Sequence, residues 1–311
     1  MHYPTLQTLL ECTQTKNNRM LKMRLKSLIL RIVPSFMLNI YRGIFRKIGK
    51  VDRKQLETIQ RIECKGDNLR YKSDLSLSEI FSTREIESMW LDSEKEINQF
   101  NIPDGAGGVN PGDRRAVYYL INAIKPSSVL EIGTHIGAST VYIASALQKN
   151  KLAIGIDANL TTVDIIDVNC PIKKPWLKHG ATYSPSEMVD KMGFGSSIEF
   201  VVNNSLSYAA KCERRYDFIF LDGDHSAAAV YQEIPIALDL LNKNGVILLH
   251  DYFPGLKPLW ANSSFIPGPF LATERFREEG LNVTVVPLGK LPWPTKLQSN
   301  VTSLALLLRS G

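Results

Sequence analysis

The chain has 311 residues, 44% hydrophobic and 22% charged, with a formal net charge of +6. That length and balance suit a globular α/β domain with an appendage, or two modest domains, and the chain shows no internal repeat or low-complexity tract. Residues 1–60 hold twelve Lys/Arg against Glu11, Asp52 and Glu57, a local balance of +9, so the rest carries −3, which argues against a nucleic-acid-binding body.

In chain order, residues 1–50 read as one or two basic amphipathic helices broken at Pro34. The apolar stretch Leu28–Ile40 is interrupted by Arg31 and Pro34, and falls short of the ~20 apolar residues a membrane span needs. No small-residue cleavage site follows it, which argues against a secretory signal; its Arg/Lys richness leaves an organellar transit peptide open. This basic start is expected to dimerise or cover the domain, with contact to an anionic membrane surface as the alternative. Cys12, Cys64, Cys170 and Cys212 lack metal-ligand spacing, so a reducing, cytoplasmic compartment is expected. Sequons at Asn159, Asn203, Asn262, Asn282 and Asn300 are read as unused, because Asn159 is expected beside a ligand pocket.

A helix from Ser82 to Phe100, started by a Ser or Thr cap, precedes the glycine-rich loop Asp104–Gly112. A helix over Arg114–Ile124 ends before Pro126. Short apolar strands are predicted at Val129–Ile132, Leu152–Ile156, Ile198–Val202, Phe218–Leu221, Val246–Leu249, Val283–Val286 and Leu304–Leu308. Helices are predicted at Ala138–Gln148, Ala227–Leu241 (kinked at Pro235) and Leu271–Glu279, and an irregular insert reaches Gly195. This alternation predicts a Rossmann-like, doubly wound, seven-stranded and mostly parallel sheet covered on both faces. Only Pro287–Asn300 joins the last two strands, which fits a C-terminal antiparallel hairpin. The domains are expected as a basic helical extension over 1–100 and an α/β domain over 101–311.

The first strand runs into Gly133-Thr134-His135-Ile136-Gly137-Ala138-Ser139 and then a helix. Such a turn brings a ligand to the backbone and to free N–H groups. Glu131, at the strand end, is expected to hold a cationic amino group. Asp157, about 20 residues after Gly137, has the spacing of a ribose-binding acid. A dinucleotide is disfavoured, because His135 stands where the second glycine of Gly-x-Gly-x-x-Gly belongs.

Leu130-Glu131-Ile132-Gly133 with Gly137, Gly155-Ile156-Asp157, Phe220-Leu221-Asp222-Gly223-Asp224-His225 and Gly245–Asp251 resemble class I methyltransferases. More narrowly they are similar to the catechol/caffeoyl-CoA O-methyltransferase-like branch and the methyltransferase 24 family. The resemblance spans about Gly107 to Arg309. It implies S-adenosylmethionine as cofactor, held by Glu131, Gly133, His135, Gly137, Ser139, Asp157, Ser205 and Asp222. Many members carry an acid near Ser205, where this chain has Asn203 and Asn204.

Asp222, Asp224, His225, His250 and Asp251 follow two successive strands, so three carboxylates and two imidazoles converge on one crevice. Like charges so close favour a shared proton or cation. The resemblance assigns a divalent metal to Asp222, His250 and Asp251, and puts His225 where catechol-type enzymes carry a lysine base. Its adjacent pair is Asp-Asn or Asp-Asp, so His250 departs from the pattern and shifts preference from Mg²⁺ toward Mn²⁺, Fe²⁺ or Zn²⁺. Catalysis is thus expected from His225 with Asp222; the bland alternative is that His225 and Ser226 cap the next helix and His250 only packs. Tyr252, Phe253, Trp260, Phe265, Phe270 and Trp293, interleaved with prolines, are read as a wall for an aromatic or sugar acceptor, or else as surface packing. Gly107–Asp113 is expected as a lid or a plain connector.

The reading that follows is O-methylation of a small-molecule or glycan hydroxyl by a homo-oligomer. The alternatives are an N-methyltransferase, disfavoured by the lack of an Asn-Pro-Pro-Tyr-like clamp, a non-catalytic cofactor-binding scaffold, and a metal-dependent hydroxylase-like enzyme with His250 and Asp251 on iron.

Overall fold

The computed structural model describes residues 49–104 and 108–311. The basic N-terminal helices, the break at Pro34 and the membrane contact ascribed to them lie outside the described residues, as does the centre of the glycine-rich loop. The chain divides into two compact units, Met1–Lys50 and Val51–Gly311. The second holds everything described below, so the α/β unit begins fifty residues before the expected boundary at residue 100.

The helices are α1 (Leu77–Ser82), α2 (Arg84–Asn98), α3 (Pro111–Ile124), α4 (Thr140–Ile154), α5 (Pro185–Lys191), α6 (Ser205–Ala209), α7 (Ala227–Leu240) and α8 (Gly268–Glu278). The strands are β1 (Ser128–Ile132), β2 (Asn159–Asp164), β3 (Ile198–Val202), β4 (Tyr216–Leu221), β5 (Leu241–Leu249), β6 (Val283–Pro287) and β7 (Ala305–Arg309). They form one seven-stranded sheet in the order β3-β2-β1-β4-β5-β7-β6. The first five are parallel, and β7 runs antiparallel to both β5 and β6.

Alternate residues of each strand serve opposite faces. Val129, Phe218, Phe220, Val246, Leu248 and Leu306 pack toward α2, α3 and α4. Leu130, Ile132, Ile219, Leu221, Ile247 and Leu307 pack toward α7 and α8. The strand order reverses between β1 and β4, and in a doubly wound sheet the crevice for a ligand opens at that reversal.

The predicted strand Leu152–Ile156 is a correction. Its first residues finish α4, and Gly155, at φ +71°, ends the helix by donating to Lys151 O. Leu152 is 75% exposed, so the apolar run is a surface turn of helix. The strand is Asn159–Asp164, whose buried threonines Thr161 and Thr162 made it read as polar. Thr83 precedes α2 as expected, but its hydroxyl donates backward to Glu79 O and caps nothing.

Residues 51–100 are part of this unit. Asp52 Oδ1 accepts from the Ala227 N–H at 3.0 Å, and Leu69 and Trp90 are buried. Arg70 donates to Gly245 O and accepts from the Arg309 N–H, each at 2.8 Å. Among the described residues no helix is long and apolar enough to cross a membrane, and Cys64, Cys170 and Cys212 are unpaired.

Candidate active site

The turn after β1 is built on two glycines at positive φ, Gly133 (+99°) and Gly137 (+74°). A Cβ on Gly133 would strike Asp222 O, so glycine is required where the ends of β1 and β4 close together. His135 also takes a left-handed φ of +50°, and its N–H donates to Asp164 Oδ2 at 2.8 Å. Burial, with His179 stacked edge-on at 4.3 Å, lowers the His135 pKa.

Glu131 does not reach out to a ligand. It is fully buried and accepts hydroxyl protons from Ser139, from Thr140 at 2.6 Å and from Thr162 at 2.7 Å. Burial pushes its carboxyl up to about 7, the three hydroxyls pull it back, and Asp222 adds to the rise. It therefore braces the turn, as does Ser139, while Gly137 packs on Pro185. Asp157 is also corrected. It precedes β2, at the wrong end of the strand, and pairs with Lys151 at 2.6 Å while 82% exposed. The acid at the ligand end of β2 is Asp164. Asn159, at the start of β2, is likewise remote from the cleft, which removes the reason given for leaving its sequon unused.

A cleft of about 660 Å³ lies along the strand ends, lined by Gly133, His135, Asp164, Ser205, Asp222 and His225 among others. Of the cofactor residues expected from sequence, Gly133, His135, Ser205 and Asp222 line it; Glu131, Gly137, Ser139 and Asp157 do not. Two acids unforeseen in the sequence, Asp164 and Glu233, line it too. Ile165 of the insert contributes to the wall, and Trp176 seals Ile136 and Ala138 from behind.

Register brings the reactive side chains together. Phe220 pairs with Leu248, and the His250 N–H continues the ladder to Leu221 O, so Asp222 and His250 project on the same face. His250 Nδ1 lies 2.7 Å from Asp222 Oδ1 and 3.7 Å from Asp251 Oδ2; Nε2 lies 3.4 Å from Asp113 Oδ2. Neither nitrogen is aligned with its neighbour as a hydrogen bond. Burial opposes charge on this imidazole, but Asp222, Asp251 and Asp113 outweigh it, and its pKa stands well above the usual histidine range. His225 Nε2 is 3.8 Å from Asp222 Oδ1 and 3.5 Å from Asp251 Oδ2. Asp251, at φ +53°, accepts from Ser303 Oγ.

The cap reading holds for Ser226, whose Oγ accepts from the Ala229 N–H, but His225 makes no cap and faces the cleft. Asp113 was missed because, three residues after Asn110, it reads as a helix-start pair, which it also is: Asn110 Oδ1 accepts its N–H. It is completely buried, with Oδ1 unpartnered. Glu233 had one signal, a lone acid in the apolar centre of α7. The aromatic wall is packing: Phe253 sits against Trp260 and Phe265, and Trp293 donates to Gly112 O beside Tyr119 and Phe81. None of the six aromatics lines the cleft.

Residues 130–252 match the family described as a methyltransferase domain, Methyltransf_24. The match runs from β1 to the residue after Asp251, and leaves Asp113 and the β6–β7 hairpin outside it. Similar solved structures include an O-methyltransferase from Streptomyces achromogenes involved in tomaymycin synthesis, in complex with SAM (16% identity, 72% of this chain and 90% of that one, TM-score 0.47). Others are a Bacillus cereus O-methyltransferase in complex with SAH (19%, 71% and 91%, 0.47) and an SAH-bound methyltransferase from Podospora anserina (17%, 74% and 97%, 0.47). No curated protein matches the sequence significantly.

Proposed function

We propose that the methyltransferase domain uses S-adenosylmethionine to methylate the hydroxyl of a small molecule or sugar. One observation carries the choice of cofactor. Asp164, Asp222, Asp224 and Glu233 line the cleft, and no lysine or arginine does so among the described residues. Such a lining attracts a sulfonium with its ammonium group and repels the diphosphate of a dinucleotide. Asp164, at the end of β2, still has lone pairs for ribose hydroxyls beyond its bonds to the His135 and Ile166 N–H groups.

When bound, the cofactor supplies an electrophilic methyl group for in-line displacement. His225, at the mouth of the cleft, takes the acceptor's proton on Nε2, and Asp222 and Asp251 stabilise the imidazolium that forms. The converging ends of β4 and β5 fix the angle of approach.

The same residues fit a divalent ion. Asp222, His225 and His250 each offer a ligand atom within 4.8 Å of the others, and both His250 nitrogens lack an aligned hydrogen bond. With His225 kept for the proton, Asp251 completes the set. A bound ion would supply Lewis acidity toward the hydroxyl, and imidazole donors favour Mn²⁺, Fe²⁺ or Zn²⁺ over Mg²⁺. Two imidazoles and one carboxylate also favour a second reading, an iron-dependent hydroxylase-like enzyme.

Calorimetry with S-adenosylmethionine and NAD⁺, with EDTA and with added Mn²⁺ or Mg²⁺, tests these readings. Binding of the sulfonium cofactor alone is expected; binding of NAD⁺ alone would overturn the assignment. Turnover unchanged by EDTA removes the metal and leaves the cofactor site. Fe²⁺-dependent oxygen uptake without the sulfonium cofactor would favour the hydroxylase.

A further inference from the structure

The stretch that follows β2 turns apolar residues to solvent. Ile172 is 90% exposed, Ile165 is 73% exposed, and Ile166 and Leu177 are exposed with them. These are four of the eleven large hydrophobics exposed among the described residues, and they fall within thirteen positions. Scattered singly they would be ordinary; concentrated in this way they mark a surface that meets something.

The exposure is not that of a frayed loop. Val168 and Trp176 are buried, and Trp176 packs on Ile136, Ala138 and Ala181. Asp164 Oδ1 accepts the Ile166 N–H at 3.0 Å, Asn169 Oδ1 the Ser186 N–H at 2.9 Å, and Cys170 O the Lys174 N–H at 2.9 Å. A short 3-10 turn at Pro175–His179 follows. The backbone is pinned, with Ile172 and Leu177 outward.

Charge narrows what they meet. Lys173, Lys174 and Lys178 are interleaved with them in sequence, all exposed and none in an ion pair among the described residues. Asp167 is the one acid from residue 165 to residue 180, in a body that is net negative beyond residue 60. Aliphatic side chains beside unpaired lysines suit a bilayer, where the former enter the acyl boundary and the latter stay with the headgroups. A protein partner fits less well, because interface centres favour aromatic residues and shed lysine, and the tryptophan of this stretch is turned inward. A second copy packed face to face would set lysine against lysine.

We propose that residues 165–178 are a docking surface for an anionic bilayer, with Ile172 and Leu177 inserting and the three lysines meeting the headgroups. Ile165 also lines the cleft, so the docked surface adjoins it. Docking here is separate from any contact made by the basic residues before Val51, and does not depend on which ligand the cleft takes.

The test is hydrogen exchange read by mass spectrometry on the full chain, alongside co-sedimentation. The vesicles are phosphatidylcholine alone, and phosphatidylcholine with about a third phosphatidylserine. Amides of residues 165–178 are expected to gain protection on the anionic vesicles only. Lys173→Gln, Lys174→Gln and Lys178→Gln together should weaken partition about a hundredfold, at about fivefold for each lysine. Ile172→Ser should weaken it about tenfold. All four side chains are exposed, so the variants should keep the wild-type thermal transition. Anionic-vesicle binding without protection at 165–178, or variants that partition as the wild type does, overturns the docking surface and leaves the binding to the basic N-terminal residues. A wild type that partitions onto neither vesicle overturns it in favour of a protein partner. Protection that rises with protein concentration without vesicles overturns it in favour of a second copy.

Discussion

A carboxyl buried among three hydroxyls is held near neutrality, and Glu131 makes that measurable. Its pKa of about 7 in the fold lies above its ordinary value of 4.5, so the native state keeps a proton that the unfolded chain has lost. Stability from this group is present in full below pH 4.5 and is lost as pH rises toward 7, an effect of ~3 kcal/mol. Urea unfolding from pH 4 to 8.5 should therefore show Glu131→Gln losing less stability across that window than the wild type. Parallel curves would mean that Glu131 is ionised in the fold. His225 is the second residue-scale case. His225→Gln should lower kcat by ~10²–10⁴ while leaving cofactor affinity within twofold, as expected for a group that acts on the acceptor's proton. An equal loss in cofactor affinity would make it a binding residue.

At the scale of elements, one misplaced strand moved one acid. The run Leu152–Ile156 has the apolar look of a strand, yet three of its residues close α4, and β2 starts at Asn159. Thr161 and Thr162 lie buried in β2, and Thr162 gives its hydroxyl to Glu131. Local hydropathy cannot see that satisfaction, so the strand was illegible while its neighbours, with apolar residues on both faces, were not. The consequence is testable by titrating S-adenosylhomocysteine into two variants. Asp164→Ala should bind at least tenfold more weakly, and Asp157→Ala, which breaks only an exposed ion pair, should match the wild type. The reverse order would restore the original assignment.

For the whole molecule, the boundary at Val51 makes residues 51–75 part of the α/β unit. Leu56 and Leu69 are buried, Asp52 receives the Ala227 N–H, and Arg275 donates to Leu56 O and Ile59 O. A chain beginning at Val51 should unfold in one transition. A chain beginning at Ser76 should melt roughly 6 °C or more lower, given ~2 kcal/mol for each leucine lost. Equal melting temperatures would return residues 51–75 to the status of an appendage. The hairpin shows the same scale at work. β7, with Ala305–Leu308 buried, enters between β5 and β6, and the half-exposed β6 is left at the edge.

By itself the sequence determined the class of fold, because apolar strands alternating with helices have few ways to bury both faces of a parallel sheet. It also determined the strand–turn–helix at Gly133 and the pairing of Asp222 with His250, since both depend on local spacing and on strand ends that must be neighbours. Only the tertiary structure decided which acids face the cleft. Glu131 turns inward to hydroxyls, Asp164 replaces Asp157, Glu233 reaches the cleft from a helix 11 residues after Asp222, and Asp113, 109 residues before it, stays buried behind His250. The direction of a side chain depends on what packs behind it, and for these acids the neighbours come from distant parts of the chain.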